Sequence, residues 1–148
     1  MDTAIIAARE RFPAGLVQPL GSFRFSLDAL LLASFSLRVL PSHEEPVSLL
    51  DLGCGCGVIG LACLLERENL IARGVDREPE LIAAAGENAI LLGLKERYAT
   101  ALCDLGEEAG RMRLAEEKAD VILANMPYRQ ENASRLPRSA LRRRALFA

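Results

Sequence analysis

The fold is decided by VSLLDLGCGCGVIG, residues 47–60, where a short apolar run meets a cluster of glycines. Residues 47–53 predict a buried strand that ends in glycine, and residues 58–68 follow with the spacing of a helix. Glycines at 53, 55, 57 and 60 let the backbone turn sharply and approach a ligand, with free amides at the start of the next helix. A ligand site is therefore expected where this strand ends.

The same alternation of strand and helix continues downstream. Strands are predicted at 70–76, 97–104 and 119–125, with a helix over 79–93 that Gly93 closes and a weak, charged helical stretch near 105–118. This pattern predicts an α/β, Rossmann-like parallel sheet with helices on both faces. The expected parts are an extended segment and helix (1–46), a core (47–128) and a basic tail (129–148).

The N-terminal part predicts an extended segment over 15–25 and then one helix. Ser26 is a suitable N-cap, and the helix runs to about Leu40 before the proline-rich PSHEEP. Its sequence is apolar on most sides, so we expect it to be largely buried.

Polar side chains stand at the predicted ends of all four strands: Asp51, Asp76, Asp104 and Asn125. In a parallel sheet the ligand lies at this edge. The literal GxGxxG at 55–60 is compatible with a dinucleotide dehydrogenase, but a carboxylate at Asp51 would repel a pyrophosphate by about 1 kcal/mol or more. The same carboxylate would attract an ammonium or a sulfonium. The charges therefore favour S-adenosylmethionine, with Asp76 accepting from ribose hydroxyls and Asp104 from the adenine amine.

Composition narrows the class of protein. The chain has 148 residues, 51% of them hydrophobic and 26% charged, which fits one globular domain. No stretch has the length of a membrane span or the form of a signal peptide, so a cytoplasmic protein with reduced thiols is expected. With one histidine and four cysteines outside metal-binding spacing, we expect no metal.

Three motifs resemble the S-adenosylmethionine-dependent methyltransferases of the Rossmann-like class I type. They are the D-x-G-x-G-x-G at 51–57, the acid after the second strand, and NMPY at 125–128, which is similar to the (N/D/S)-P-P-(Y/F/W) motif of the small-domain superfamily that methylates planar nitrogens. The leader QPLGSFRFSLDALLLASF, 18–35, is similar to that of bacterial tRNA(Val) (adenine-N6)-methyltransferases.

The resemblance implies a set of site residues. Cofactor contacts are expected from Asp51, Gly53, Gly55, Gly57, Asp76, Arg77, Asp104, Leu105 and Asn125, and catalytic roles from Asn125, Met126, Pro127 and Tyr128. The Asn125 side chain and the backbone carbonyl of residue 126 would accept the hydrogens of the attacked amine and localise its lone pair. Tyr128 would stack on the flat substrate group. Met126 replaces the usual proline but keeps the carbonyl.

Substrate and partners follow from the same resemblance. The tail from 129 to 148 carries six arginines and one acid, a net charge of +5, so Arg135, Arg138 and Arg142 are expected to bind phosphates of a tRNA substrate. A protein glutamine N5-methyltransferase and a catalytically silent binding module are the alternatives, and a dehydrogenase ranks last. Members of this class continue with three more strands after the fourth, and by this resemblance the chain is truncated after strand four, with the C-terminal strands missing. We therefore expect exposed apolar surface or an open edge that self-association would cover.

Overall fold

The structure is a computed structural model, and it describes residues 2–40, 45–116 and 118–125. The described elements, in chain order, are α1 (Thr3–Glu10), α2 (Leu27–Val39), β1 (Val47–Leu52), α3 (Val58–Glu66), β2 (Leu70–Asp76), α4 (Pro79–Leu91), β3 (Tyr98–Leu102), α5 (Glu108–Ala115) and β4 (Val121–Ala124).

The four strands form one parallel sheet in the order β3-β2-β1-β4. Each predicted strand is present, and both ends of every strand lie within two residues of the expected ones. Gly93 has φ 67 directly after the cap of α4, as its sequence position predicts. The predicted Rossmann-like α/β fold is confirmed.

The direction of the chain decides which helix covers which face. From β1 the chain steps outward to β2 and β3, so right-handed crossovers place α3 and α4 on one face of the sheet. The return from β3 to β4 reverses direction and carries α5 over the other face. Of the eight residues of α5, Gly110 alone is buried, and Ile71 and Ile122 on that face are 48% and 59% exposed. The described helices therefore cover the two faces unequally.

The helix α2 corrects one expectation. It packs against α3 through a narrow seam of Ala29, Ala33 and Ser36, and it is not largely buried. Its opposite side exposes a stripe of apolar residues, between 58% and 68% accessible, namely Leu27, Leu31, Phe35 and Val39. An apolar composition alone does not bury a helix, because burial requires a partner surface, and α3 offers only one side.

A helix that the sequence did not predict precedes the segment 15–25, which itself carries no helix or strand. Residues 3–10 form α1, whose first turn is capped by the Asp2 carboxylate accepting from the Ala4 amide at 3.0 Å. The helix packs against the end of α4, where the Ile5 side chain approaches Gly93. None of the described helices is long and apolar enough to cross a bilayer.

Candidate functional site

The polar residues predicted at the strand ends lie along one edge of the sheet. From one side to the other the order is Asp104, Asp76, Asp51 and Asn125, because the strands run β3-β2-β1-β4. Leu52 pairs with Val75 on one side and with Ala124 on the other. One residue further on, Gly53 is therefore level with Asp76 and Asn125. The chain runs from β1 outward to β2 and β3 and then returns from β3 to β4 on the other side of β1, so the direction of winding reverses between β1 and β4. Ligands bind at such switch points.

The glycine loop from 53 to 57 lies above this edge. Gly53, Gly55 and Gly57 have φ of 65, 57 and 86, a region that side chains with a Cβ rarely adopt. Gly57 is also the N-cap residue of α3. Among the described residues, no atom lies within 4 Å of the position that a Cβ would occupy on Gly55, so their packing leaves that position open. The backbone conformation, and not packing, requires glycine at this position.

Asp51 lies beneath the glycine loop. Its side chain is 0% exposed, and its Oδ2 accepts from the Gly60 amide of α3 at 3.2 Å. The other oxygen, Oδ1, has no hydrogen-bond partner among the described residues. Burial raises the pKa of Asp51 from 3.8 to about 7, opposed by the Gly60 amide and reinforced by the nearby Asp76 charge. The site thus holds a buried carboxyl with one unused oxygen, and contact with a cation stays a prediction.

Asp76 joins the glycine loop to the start of α4. Its Oδ2 accepts from the Gly55 amide and its Oδ1 from the Glu78 amide, each at 3.0 Å. Burial raises the pKa of Asp76, and these two amides lower it. Both oxygens keep further lone pairs for the ribose hydroxyls that the sequence predicts. The neighbouring Arg77 lies 3.8 Å from the Glu78 carboxylate through its Nε.

Asp104 lies two residues beyond the end of β3, in a turn that leads to α5. Its Oδ1 accepts from the Gly106 amide at 2.8 Å, and the carbonyl of Leu105 accepts from Arg111 at 2.9 Å. Both Asp104 and Leu105 are half-buried. This turn forms the outer end of the edge, and the adenine contact predicted for it remains untested.

Asn125 follows β4 directly and is half-buried. The other residues to which the sequence assigns catalysis or phosphate binding lie outside the described residues: Met126, Pro127, Tyr128, Arg135, Arg138 and Arg142. Their predicted roles stay predictions. Among the described ranges, no three His, Cys, Asp or Glu side chains converge as a metal site would require.

Asn88 is a site residue that the sequence did not reveal. Fully buried on α4, it donates through Nδ2 to the carbonyl of Cys56 at 2.9 Å and to that of Val17 at 3.0 Å. Its Oδ1 accepts from the Val17 amide at 2.7 Å. Asn88 therefore ties the N-terminal leader to the glycine loop. An asparagine inside an apolar helical stretch was the available signal.

The described residues fit a nucleoside that carries a cation better than one that carries a pyrophosphate. Asp51 leaves one carboxyl oxygen unpaired beneath the loop, while the open space at Gly55 lets a ligand approach the backbone. Asp76 stands next to the loop with oxygens that can accept from hydroxyls. S-adenosylmethionine meets these requirements, because it combines a ribose with an ammonium and a sulfonium.

A family model described as a methyltransferase domain matches residues 43–146. A release factor glutamine methyltransferase of Caulobacter vibrioides is 37% identical over 92 residues, 62% of this chain and 30% of that protein. The release factor glutamine methyltransferase of Escherichia coli is 31% identical over 82% of this chain and 41% of its own length. A ribosomal RNA large subunit methyltransferase G of Pseudoalteromonas translucida is 31% identical over 74% of this chain and 28% of its own.

Solved structures agree on the fold. A methyltransferase from Geobacter sulfurreducens, crystallised with S-adenosyl-L-homocysteine, superposes with a TM-score of 0.51 at 21% identity, covering 81% of this chain and 42% of that one. The present chain spans less than half the length of each of the curated relatives named above.

Proposed function

The chain belongs to the family of S-adenosylmethionine-dependent methyltransferase domains, and from this membership we propose that it transfers a methyl group to a planar nitrogen. The cofactor would lie across the glycine loop, between Asp76 and Asn125. One observation supports the proposal above all others. By the register of the strands, Asp76 and Asn125 both lie opposite Gly53, on either side of the loop at the switch point of the sheet.

Each described residue has a role in this proposal. Asp76 accepts from the ribose hydroxyls, and the amides of the loop orient the rest of the cofactor. Asp51 provides negative charge below the loop, opposite the cationic end. When bound, S-adenosylmethionine supplies an electrophilic methyl on a sulfonium, whose leaving group needs no acid.

The acceptor side depends on Asn125. An amide or exocyclic amine is a weak nucleophile, because its lone pair is delocalised into a π system. Asn125 accepts a hydrogen bond from that nitrogen through its side-chain carbonyl, which orients the lone pair towards the methyl group. Catalysis then consists of positioning and electrostatics, without a covalent intermediate.

The glutamine side chain of a protein is the substrate class that we place first. Two of the relatives named above are release factor glutamine methyltransferases, and the one from Escherichia coli aligns with 82% of this chain. Adenine N6 in tRNA is the second candidate, favoured by the similarity of the leader and by the net charge of +5 on residues 129–148. The relative from Pseudoalteromonas translucida is named for ribosomal RNA, which also favours an RNA substrate.

The test is transfer of tritiated methyl from S-adenosylmethionine into a purified release factor and, separately, into total tRNA. We expect label in the release factor that protease releases and nuclease does not. Label only in tRNA would reverse the order of the two candidates. No label in either, from protein that binds S-adenosylhomocysteine, would leave only a cofactor-binding module.

A matched pair of asparagine variants tests whether Asn125 takes part in methyl transfer. Asn125→Ala should reduce methyl transfer by a factor of about 100 or more while cofactor affinity changes little, because its hydrogen bond forms with the attacked nitrogen. Asn69→Ala makes the same chemical change at the opposite end of the sheet, where Asn69 donates to the carbonyl of Glu45 at 2.9 Å. Equal activity of the two variants would refute the role of Asn125.

A further inference from the structure

Tyr98 is the first residue of β3, and its ring lies beneath the glycine loop. The side chain is 5% exposed. A Cβ on Gly60 would come within 2.7 Å of its Cε2, and one on Gly57 within 2.9 Å of its hydroxyl. A Cβ on Gly74 of β2 would overlap the same hydroxyl. Three glycines from the loop, α3 and β2 therefore form a socket for this one ring.

The socket places Tyr98 next to Asp51. Asp51 pairs with Gly74 in the sheet, and the Cβ position on Gly60 that meets the Tyr98 ring lies 3.5 Å from Asp51 Oδ2. Among the described residues, two buried side-chain polar atoms have no hydrogen-bond partner, and they are Asp51 Oδ1 and the Tyr98 hydroxyl. The two atoms are chemically complementary, since one accepts and the other can donate.

A phenylalanine would fill the aromatic part of the socket equally well. A buried hydroxyl without a partner is unfavourable, so its presence needs an explanation in some state of the protein. Packing alone accounts for the ring, and the polar group beside the oxygen is the Cys54 thiol, which is only a weak acceptor.

We propose that Tyr98 is a positioning residue of the cofactor site, whose hydroxyl donates to Asp51 Oδ1 in the cofactor-bound protein. The inference rests on the proposed function, because it takes the cofactor's cation as the partner of Asp51. The hydrogen bond stabilises the ionised carboxylate opposite that cation. Tyr98 acts through Asp51 and does not touch the reacting atoms.

The surroundings of Asp51 make this hydrogen bond testable by pH. The titratable groups that face it are Asp76 from β2, Tyr98 from β3, Cys54 and Cys56 from the loop and Cys63 from α3, while β4 places only apolar residues alongside. Burial raises the pKa of Cys56 to about 11 and that of Cys63 to about 12, and raises that of Cys54 further. The thiols and the phenol are therefore neutral between pH 5.5 and 8.5, a range that brackets the Asp51 pKa of about 7.

The experiment measures the affinity for S-adenosylhomocysteine, which carries the same ammonium, by calorimetry from about pH 5.5 to 8.5 around the Asp51 pKa. For Tyr98→Phe we expect about tenfold weaker binding at the alkaline limit, where Asp51 is ionised in both proteins and only the wild-type complex gains the hydrogen bond. As pH falls through the Asp51 pKa, both affinities should fall, and that of the wild type should fall further, because the protonated carboxyl gains less from the donor. The ratio of the two affinities should therefore shrink towards pH 5.5.

Two controls separate this role from a structural one. Ser36→Ala removes another buried hydroxyl, which donates to Leu32 within α2, and should leave the pH profile unchanged. In an Asp51→Asn background, Tyr98→Phe should have no further effect on the profile, provided that circular dichroism shows both proteins folded.

The outcomes are distinct. A Tyr98→Phe profile that coincides with the wild type, or that lies below it by a constant factor at every pH, would overturn the positioning role alone. A folded wild-type protein that binds no S-adenosylhomocysteine at any pH would overturn the proposed function, and this inference with it.

Discussion

Replacing Asp51 with asparagine should change how the stability of the protein depends on pH. The carboxyl is fully buried, and burial raises its pKa from 3.8 to about 7. Asparagine has nearly the same shape, does not ionise, and can still accept from the Gly60 amide. The variant therefore removes one titration with little other change.

Whether stability rises or falls with pH depends on which state, folded or unfolded, binds the Asp51 proton more tightly. Between pH 3.8 and about 7 the folded protein keeps the Asp51 proton and the unfolded chain loses it, so unfolding releases a proton. Stability from this group is thus greatest on the acid side and is lost as pH rises to about 7. A shift of roughly three pKa units corresponds to about 4 kcal/mol. Burial also raises the pKa of Asp76, which adds a slope of the same sign in both proteins.

Urea unfolding at pH 5, 6, 7 and 8 measures the difference. We expect Asp51→Asn to gain about 3 kcal/mol of stability relative to the wild type between pH 5 and pH 8, because about two of the three pKa units lie above pH 5. The exposed Asp28, replaced in the same way, serves as the control and should follow the wild type. If the wild type instead gained stability relative to Asp51→Asn between pH 5 and 8, the buried, protonated state of Asp51 would be wrong.

Four further predictions follow from the site. S-adenosylhomocysteine should raise the thermal midpoint more than NAD does, and Asp76→Ala should weaken that effect; a larger shift with NAD would favour a dehydrogenase. Gly55→Ala should destabilise by about 1–2 kcal/mol in urea, because φ is 57 and no neighbour is close; unchanged stability would contradict that backbone conformation. Asn88→Ala should cost about 3 kcal/mol and speed hydrogen exchange at the Val17 amide, and a still-protected amide would count against the tie to the leader. Replacing Arg142, Arg143 and Arg144 with alanine should flatten the salt dependence of RNA binding by up to about 0.7 per lost contact, and an unchanged slope would count against RNA.

The sequence by itself determined the order of strands and helices from α2 onward and the edge at which the site lies. The reason is local: apolar runs of strand length, helical spacing and glycines at turns act over a few residues. In a parallel sheet all carboxyl ends fall on one edge, so the presence of Asp51, Asp76, Asp104 and Asn125 at that edge follows from their place at the strand ends.

Only the tertiary structure decided what surrounds each side chain. The apolar composition of α2 predicted burial, yet a whole stripe of it is exposed, because burial depends on the partner surface that α3 provides. The short α1 was missed because its stability comes from its Asp2 cap and from packing on α4. In both cases the deciding contact lies far away in the sequence.

The same reason applies inside the site. The raised pKa of Asp51 and the socket of Tyr98 arise where residues from three strands, the loop and α3 meet, and the hydrogen bonds of Asn88 span 32 and 71 positions of the chain. The sequence shows which residues carry charge or a hydroxyl. Which of them lose their water, and which atoms stay without a partner, is decided when distant segments pack together, because desolvation and hydrogen bonding depend on neighbours in space.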